Sequence, residues 1–568
     1  TYYWKLAAKH SKNVPYKIML TDPPAEVIYS TLPQPLKIDR QRPLSAASIS
    51  ERVKCLVSPI RDIINKEPVL LMVLQELEKP DILPNGVGGR NLLMYSFETI
   101  DTGIGMIKRD LQQFGLYLAS SKSYQLRQTR GSQGFGASSA FSDAQNTTGR
   151  PITVATRHPA ENQGYTSTFF TTGKNQKEYV LPETALSLSF SHGTYMQLSF
   201  LNLPYRRGYA DEYINQTSFL NAHINIIFVD PYGEVHIYPR RVKEFVREPS
   251  FTMPHPSSTS IGDFQDQLRI TSYSSLLDFL SQSYCRLTRP RAARIIRNAS
   301  KQVKNEPFTK NQRPKNLSQA QIKALYSSFI SEKYYAPPIE TVVPVGEEVI
   351  TKTLKEIFQA EFVEAISRPP TSSKGLAFAV EVAAVYDPKL ASQSGVGVLY
   401  RFVNRTPKLR DNSDCAIWKA AASVNWRNYR IEVASNGLPM GSVRLFANVV
   451  GPFVHLIFKA QSKQALAEDD ILMRELKLAF EDVGRKLRHH IVRVMAHRER
   501  ERRADVLLRY ARLVAKSLIN IESSDPKISK EQLAKLPQQL EEIATRISGL
   551  EADSSTSRAE ETEEVAIE

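Results

Sequence analysis

A chain of 568 residues has room for roughly three domains, and its hydrophobic content of 42% is typical of folded protein. Its 74 Lys and Arg against 59 Asp and Glu give a net charge of +15, which favours a polyanionic partner without identifying one. The three cysteines (Cys55, Cys285 and Cys415) are scattered and odd in number, which argues against a disulfide framework or a cysteine-based metal site. No apolar run reaches the length of about 18 residues that indicates a membrane span, so we expect a soluble, intracellular protein.

The N-terminal part of the chain is predicted to be an irregular extension followed by a helix. Residues 1–40 show no clear period and contain proline-rich pieces. Residues 45–80 have apolar side chains at helical spacing, namely Val53, Leu56, Ile60, Ile63 and Ile64. Pro68 should break or kink this helix near its middle, because proline lacks the amide hydrogen that the helix needs.

Two glycine clusters lie beyond this helix, and the rest of the chain is organised around them. The first reads DTGIGM from Asp101 and follows an apolar, strand-like run; the second reads RGSQGFG from Arg130 and leads into small residues suited to starting a helix. An Asp at a strand end can accept a hydrogen bond from the exocyclic amine of adenine. Glycines allow backbone amides to approach phosphates closely, beside the positive end of a helix. We therefore interpret residues 101–140 as a nucleotide pocket, although the chain has neither a P-loop nor a Rossmann fingerprint.

The following segment is predicted to be rich in strands. Alternating apolar residues between 178 and 200 indicate two strands. Residues 225–229 and 235–238 form a predicted hairpin, with Asp230-Pro231-Tyr232-Gly233 as its turn. The first part of the chain is therefore expected to be α+β, with helices packed against a mixed or antiparallel sheet.

Residues 258–332 change to helical spacing and become strongly basic. From Arg286 to Lys315 there are ten Lys or Arg and one acid, Glu306. Two interpretations stay open. The segment is either a solvated basic face on a small helical bundle or a surface that contacts nucleic-acid phosphates.

The C-terminal part returns to strand-like runs and then becomes helical. The runs are Ala377 to Tyr386, Gly397 to Val403, Ile431 to Ala434 and Val443 to Phe458. A long helix is predicted from Leu466 to about Leu518. Residues 485–516 of this helix carry eleven Lys or Arg against three acids, which fits a domain connector with a solvated face and is compatible with DNA contact. A second helix is predicted near residues 530–550, and the acidic residues 551–568 are expected to be disordered.

Read together, these motifs resemble a known family. DTGIGM at Asp101, QTRGSQGFGAS at Gln128 and HGTYMQLSF at His192 are similar to the Bergerat ATP fold (the GHKL ATPases) of type II topoisomerases, mismatch-repair ATPases, a large heat-shock chaperone and histidine kinases. Further segments resemble the B subunit of DNA topoisomerase VI: TTGRPITV at Thr147, HINIIFVDPYGE at His223, APPIETVVPVGEEVI at Ala336, RFVNRTPKL at Arg401, NGLPMGSVRLFANVV at Asn436, SKQALAEDD at Ser462 and EDVGRKLRHH at Glu481.

The resemblance implies an α+β multidomain fold. Its expected parts are an irregular extension (1–40), a Bergerat-type ATPase α/β sandwich (41–255), a small helical helix–two-turn–helix domain (256–333), an α+β transducer domain with a long helix (334–520), and a C-terminal helix with an acidic tail (521–568).

The resemblance also implies which residues bind nucleotide and DNA. Asp101 should bind adenine with Thr194 near the same base, and Lys463 matches the switch lysine that reaches the γ-phosphate from the transducer. The other implied nucleotide contacts are Gly103, Gly105, Met106, Ser121, Lys122, Arg130, Gly131, Ser132, Gln133, Gly134, Phe135 and Gly136. The basic residues expected to contact DNA phosphates are Arg286, Arg289, Arg291, Arg294, Arg297 and Lys301.

The family's catalytic motif is altered in this sequence. The family has a Glu on the first helix as general base and an Asn four residues later that holds Mg²⁺. Two registers are available here: Asp62 with Lys66, or Glu67 with Leu71, of which we prefer the second. Either register loses an oxygen ligand, so no metal-binding residue is identified and Glu67 is the expected catalytic acid. A sequence error within residues 50–90 is an alternative explanation.

The main hypothesis implied by the resemblance is an ATP-binding B subunit that uses ATP and Mg²⁺. It would work with a separate DNA-cleaving A subunit on double-stranded DNA, as a B homodimer within an A₂B₂ heterotetramer. Its expected location is the cytoplasm and nucleoid of a prokaryote, or the nucleus of a eukaryote. Two alternatives stay open: a scaffold of the same family that does not hydrolyse ATP, and another GHKL ATPase of the chaperone or mismatch-repair type.

Overall fold

The computed structural model describes residues 16–19, 26–29, 45–78, 91–117, 126–129, 136–244, 246–390, 397–460, 462–522 and 530–548. The acidic tail and most of the predicted N-terminal extension lie outside these ranges. The chain divides into two compact units, residues 1–425 with 433–483, and residues 426–432 with 484–568.

An eight-stranded mixed sheet is the framework of the N-terminal half. A separate two-stranded ladder, β1 (Tyr16–Met19) and β2 (Glu26–Tyr29), precedes it in the chain. The strands of the eight-stranded sheet are β3 (Val69–Leu77), β4 (Leu93–Asp101), β5 (Ile152–Arg157), β6 (Gly164–Thr171), β7 (Lys177–Leu186), β8 (Gly193–Asn202), β9 (Asn225–Val229) and β10 (Val235–Tyr238). The order across the sheet is β10-β9-β3-β4-β8-β5-β6-β7. The β3–β9 pair is parallel, and the other neighbouring pairs are antiparallel. The predicted hairpin of β9 and β10 is confirmed.

Helices cover both faces of this sheet. On one face lie α1 (Ala46–Val57) and α2 (Arg61–Ile64), and on the other lie α3 (Lys108–Gln113), α4 (Gly136–Thr148) and α5 (Ala210–Leu220). The alternation of strand side chains separates the two cores, since Leu71 and Val73 of β3 pack with α1 while Met72 and Leu74 pack with α5.

The predicted helix over residues 45–80 is wrong in its second half. The helical segment ends at Ile64, and β3 begins at Val69, directly after Pro68. β3 pairs with β4 on one side and β9 on the other, and its apolar side chains are buried or partly buried in the cores on both faces of the sheet. A continuous apolar run of this kind fits a buried strand as well as a helix, so pairing in the tertiary structure decided the outcome.

A four-helix bundle follows, with an aromatic core. Its helices are α6 (Ile261–Ile270), α7 (Leu276–Ser283), α8 (Arg289–Gln302) and α9 (Gln319–Ser331). Ser260 and Ser318 begin α6 and α9 with complete capping boxes, which satisfy the first free amides of those helices. Phe264, Phe279 and Phe329 are buried at the centre of the bundle. The apolar side of α8 packs into this core, and its basic residues lie on the opposite side of the helix.

A six-stranded sheet with two helices forms the next part of the first unit. Its elements are α10 (Glu347–Phe358), β11 (Phe362–Ser367), β12 (Thr371–Ser373), β13 (Leu376–Tyr386), β14 (Val398–Val403), β15 (Thr406–Pro407), α11 (Ala416–Ala422) and β16 (Val443–Val450). The sheet order is β11-β13-β16-β14-β15, with β12 paired to β13. The run Ile431 to Ala434 is not a strand and makes only an isolated bridge, between Val433 and Pro439.

The predicted long helix is confirmed as α12 (Asp470–Glu522), and α13 (Lys530–Ser548) follows. Within the first unit, Arg368 of the sheet region donates to Glu475 and Asp482 of α12 at 2.6 and 3.2 Å. Within the second unit, Arg512 of α12 donates to Glu541 of α13 at 2.8 Å. In the part of the chain that the structure describes, no helix combines the length and apolar character needed to cross a membrane.

Candidate nucleotide-binding site

The first glycine cluster lies at the end of a central strand. Asp101 is the last residue of β4, where it is paired with Leu70 of β3 and Thr194 of β8. Its Oδ1 accepts a hydrogen bond from the Gly103 amide at 2.8 Å. Burial raises the pKa of the Asp101 carboxyl, while the Gly103 amide and His192 oppose this shift. The strand end therefore presents a fixed, half-buried carboxylate with one oxygen held by the backbone.

Two glycines close this pocket by allowing backbones to approach one another. Gly105 has φ of 67°, and a Cβ there would overlap the carbonyl of Arg157, at 2.7 Å from its carbon. Gly193 has φ of 135°, and its Cβ would overlap the carbonyl of Asp101, at 3.0 Å from its carbon. A side chain at either position would therefore meet backbone that cannot move aside, in a conformation that L-residues rarely adopt.

Replacing Gly193 with Ala is expected to destabilise the protein by about 2–4 kcal/mol and to weaken nucleotide binding, because the methyl group would push β8 away from Asp101. Thermal unfolding and nucleotide titration measure the two effects. Gly173→Ala is the matched control, since no atom lies within 4 Å of the position that its methyl group would occupy. A Gly193→Ala protein as stable as this control would contradict the steric argument.

Thr194 belongs to a small hydroxyl cluster that the sequence did not predict. Thr156 of β5 is buried; its Oγ1 donates to Gly193 O at 3.0 Å and lies 3.3 Å from Thr194 Oγ1. The same oxygen accepts the Met106 amide at 2.8 Å. Thr156 therefore fixes the loop after Asp101 from the neighbouring strand. The TTGRPITV segment ends just before Thr156, and this was the one sequence signal that could have indicated it.

The second glycine cluster lies mostly outside the described residues. Ser121, Lys122 and residues 130–135 (Arg130, Gly131, Ser132, Gln133, Gly134 and Phe135) are in the ranges that the structure leaves undescribed. Gly136 is described and is the first residue of α4. The loop therefore leads into a helix, as the small residues after it predicted.

The chain just before this loop is attached to the six-stranded sheet. The Asn404 side-chain amide donates to Thr129 O at 2.9 Å, and His455 Nε2 lies 3.3 Å from Thr129 Oγ1. Gln128 exchanges two hydrogen bonds with the backbone of Val343, at 2.9 and 2.8 Å. The first end of the predicted phosphate loop is thus fixed to the region that contains Lys463.

Lys463 lies in a tight turn between Phe458 and Leu466, which form a backbone bridge. Its φ of 54° is left-handed, a conformation that costs roughly 1–2 kcal/mol for a residue with a side chain. Burial lowers the pKa of its ammonium group, whose Nζ lies 5.8 Å from the centre of the Phe458 ring. Such strain is typical of residues held in place for function.

The expected catalytic acid is not on a helix. Glu67 lies in the turn between α2 and β3, and its carboxylate accepts a hydrogen bond from the Asn225 side chain at 2.6 Å. Leu71, its partner in the preferred register, is buried in β3 and offers no oxygen. In the other register Asp62 is exposed on α2, and Lys66 follows in the turn. These residues do not fit a Mg²⁺ site, which needs oxygen ligands.

A possible metal-binding group occurs elsewhere on the sheet. Asp230, Glu234 and His236 lie together on the β9–β10 hairpin. Asp230 Oδ1 already accepts the amides of Tyr232 and Glu234, and Glu234 pairs with Arg207 at 2.6 Å. The hairpin turn is at the end of β9 opposite Asn225, so this group is not at the Asp101 end of the sheet. We interpret it as the cap of the hairpin turn.

An apolar cavity of about 730 Å³ lies against the face of the sheet covered by α5. It is lined by Met72, Leu74, Phe97, Phe200 and Ile214, together with Arg405 and Thr406. A lining of this kind suits apolar groups and not a triphosphate, so we do not assign ATP to it.

The predicted DNA-contacting residues differ in whether their side chains already contact other residues of the protein. Arg289 and Arg294 pair with Asp278 and Glu332, Arg286 donates to Ala336 O at 2.9 Å, and Arg291 lies 4.8 Å from the Tyr335 ring centre. Arg297 and Lys301 are exposed on α8, and neither forms an ion pair with a described residue. These two side chains are therefore the best placed of the six to reach a phosphate.

Comparison with known proteins identifies the six-stranded region first. Residues 337–503 match the family model described as "Topoisomerase VI B subunit, transducer". The chain is 27% identical over 520 residues to the B subunit of type 2 DNA topoisomerase 6 from Archaeoglobus fulgidus, covering 90% of this chain and 83% of that relative. It is 28% identical over 456 residues to the corresponding protein of Methanococcoides burtonii, covering 78% and 71%.

Among solved structures, the B subunit of DNA gyrase from Myxococcus xanthus aligns with a TM-score of 0.33 and 10% identity, covering 77% of this chain and 90% of that one. The resemblance to topoisomerase VI B subunits depends instead on the transducer match and on sequence similarity that extends over most of the chain. Together with the ordered motifs from Asp101 to Glu481, these findings show that residues 337–503 match the topoisomerase VI B transducer and that most of the chain is similar to topoisomerase VI B subunits.

Proposed function

We propose that this chain is the ATP-binding B subunit of a topoisomerase VI-like enzyme that passes one DNA duplex through a break made by an A subunit. The observation that carries the proposal is the site at the end of β4. There Asp101 is held by the Gly103 amide, and two glycines close the loop around it. The attachment of Thr129 to the transducer region supports a link between the phosphate loop and Lys463.

Each side chain has a distinct role in this proposal. The free oxygen of Asp101 accepts a hydrogen bond from the adenine amine, and Thr194 lies beside the same base. The N-terminus of α4 at Gly136 supplies amides to the phosphates, and Lys463 neutralises charge on the terminal phosphate. Bound ATP supplies the phosphoanhydride whose presence or cleavage distinguishes two states of the protein. Because the residues near α2 do not fit a Mg²⁺ site, that ion has no role in the proposal.

The partners follow from the family. We propose that two copies associate when ATP binds and that this dimer assembles with two A subunits as an A₂B₂ complex. The complex acts on double-stranded DNA, and the proposal includes no membrane as a partner. The basic face of α8 would hold DNA through its phosphates, with little reading of base sequence.

If α8 contacts DNA in this way, replacing Arg297 and Lys301 with Ala should weaken binding about equally for different sequences. It should also lower the slope of log affinity against log salt by about 1 per lost contact. Arg269→Ala, an exposed basic change on α6, is the control and should leave the slope nearly unchanged. If the affinity of the parent protein for DNA does not depend on salt concentration, the assignment of α8 as a phosphate-contacting helix is overturned.

A second candidate function is a scaffold of the same family that binds a cleaving partner without hydrolysing ATP. The position of Glu67 favours it, since this carboxylate is in a turn and is bound to Asn225. ATPase assays of the complex with an A subunit and DNA distinguish the two candidates. Hydrolysis by the parent complex that is lost in Asp101→Asn would overturn the scaffold. Absence of turnover with retained ATP binding would support it.

A further inference from the structure

Several cation-forming side chains gather where Thr129 meets the transducer region. Lys408 follows β15 and is only 9% exposed. The ammonium groups of Lys408 and Lys463 lie 5.3 and 5.8 Å from the centre of the same ring, that of Phe458. The ring of His455 contacts Thr129 and is close enough for both lysines to affect its titration. The three side chains thus share one small region beside Thr129 and Phe458.

This cluster has no acidic partner within the described ranges. Neither Lys408 nor Lys463 forms an ion pair there, whereas Lys459, in the same segment, pairs with Asp414. The charged side chains that most affect Lys408 are Lys463 and Arg401, which are both cations. Burial and these neighbours lower the pKa of Lys408 to about 8, so the group still carries its proton at neutral pH.

His455 contributes a polar atom that also lacks a partner. Its Nδ1 is buried and makes no hydrogen bond with the described residues. Burial, Lys463 and Lys408 lower the pKa of His455 to about 4, so the ring is neutral at pH 7 and one of its nitrogens carries a hydrogen. A neutral ring in this position can donate a hydrogen bond to an anion without adding to the repulsion.

The surrounding structure holds Lys408 in this unfavourable position. The buried guanidinium of Arg401 donates to the carbonyl oxygens of Lys408 and Arg410, at 3.0 and 2.6 Å. These hydrogen bonds from Arg401 therefore hold the backbone at Lys408 in place. Two ammonium groups in a partly buried region repel each other and lose hydration, and a bound anion is the group that would compensate both effects.

We propose that Lys408, Lys463 and His455 form a single anion site that binds the terminal phosphate of ATP, with Lys408 as the residue that distinguishes ATP from ADP. This inference rests on the proposed function, because it assumes that the loop after Thr129 carries the phosphates of a nucleotide bound at Asp101. The ligand class is a phosphoryl oxyanion at the end of a nucleotide chain.

The test compares the binding of a non-hydrolysable ATP analogue and of ADP to the full chain. Lys408→Gln should lower the affinity for the ATP analogue about 10- to 100-fold, the loss expected for one charged hydrogen bond. Its affinity for ADP should change less than about threefold. Lys408→Arg, which keeps the charge, should recover part of the loss. Lys459→Gln is the matched control, because that lysine is already paired with Asp414, and it should bind both nucleotides as the parent does.

The second measurement is the stability of the nucleotide-free protein. Lys408→Gln should raise the melting temperature by about 2–4 °C at pH 7, since it removes a buried charge that faces Lys463, Arg401, His455 and Cys415. The folded pKa of Lys408 lies below its unfolded value of 10.5, so its protonated form destabilises the folded state fully below about pH 8. The difference between parent and variant should therefore shrink as pH rises from 8 towards 10.5.

The outcomes separate this inference from the function on which it rests. If the parent binds both nucleotides and Lys408→Gln leaves the preference for the ATP analogue unchanged, the anion site is wrong and the nucleotide pocket stands. A variant that is less stable than the parent at pH 7 would also overturn the site, because Lys408 would then be a structural residue. If the parent binds neither nucleotide, the proposed function itself is overturned.

Discussion

Replacing Arg52 with Met should destabilise the folded protein by about 3–5 kcal/mol, because it would leave the buried Glu98 carboxylate without its cationic partner. Arg52 of α1 and Glu98 of β4 are 4% and 1% exposed, and the guanidinium binds both carboxylate oxygens, with Nε at 3.0 Å from Oε1. The hydroxyl of Tyr195 donates to the same carboxylate at 2.6 Å. Burial and Glu98 raise the pKa of Tyr195 well above its ordinary value, so this hydroxyl remains a donor.

Denaturant unfolding followed by circular dichroism measures this effect. Lys54→Met is the control, since it removes an exposed basic side chain from the same helix and should change the free energy of unfolding by less than about 0.5 kcal/mol. Combining Arg52→Met with Glu98→Gln should recover a large part of the loss, because no buried charge then remains. A double variant less stable than Arg52→Met alone would contradict this explanation.

The same network connects α1 to the proposed nucleotide site. Glu98 lies three residues before Asp101 on β4, and Tyr195 directly follows Thr194 on β8. The buried ion pair therefore attaches α1 to the two strands that present these site residues. Loss of Arg52 should consequently weaken nucleotide binding as well as stability.

Replacing Asp101 with Asn should weaken the binding of ATP and ADP alike by about 10- to 100-fold, because a charged acceptor for the adenine amine is replaced by a neutral amide. Isothermal titration of both nucleotides measures this change. Asp266→Asn, an exposed change on α6, is the control and should bind as the parent does. Equal affinity of Asp101→Asn and the parent would remove the basis for the whole site.

The titration of Asp101 adds a second expectation. Because its folded pKa is raised above the unfolded value of 3.8, the group favours the folded state at low pH, and this contribution is lost as pH rises through the folded pKa. Asp101→Asn should therefore be at least as stable as the parent at pH 7, although it binds nucleotide poorly. In the proposed site the ionised carboxylate accepts the adenine amine, so nucleotide affinity should fall when the solution is acidified towards that raised pKa.

Local patterns in the sequence predicted several elements that the structure contains. The β9–β10 hairpin is confirmed. It could be predicted because its turn residues and alternating strand residues are local signals in the sequence. The long helix α12 is confirmed from its apolar stripe, although it begins at Asp470 and not at Leu466. The position of Asp101 at a strand end is also confirmed, since an apolar run leads directly into it.

The failures lie where a pattern fits two structures. The segment after Pro68 is apolar enough for either a helix or a strand, and its pairing with β4 and β9 decided for the strand. That decision also moved Glu67 from the predicted helix to a turn and placed Leu71 in the core. No spacing in the sequence indicates these outcomes, because they depend on strands that are distant in the chain.

The sequence by itself determined that this chain carries a strand-end Asp followed by glycines, a basic helical segment and a transducer-like region, since each of these depends on neighbouring residues. The tertiary structure alone decided that Thr156 supports the loop after Asp101 and that Arg52 is buried against Glu98. It also brought Lys408, His455 and Lys463 together beside Thr129. Burial and charge repulsion are properties of side chains that meet in space, and residues 129 and 455 are distant in the chain and meet only in the folded structure.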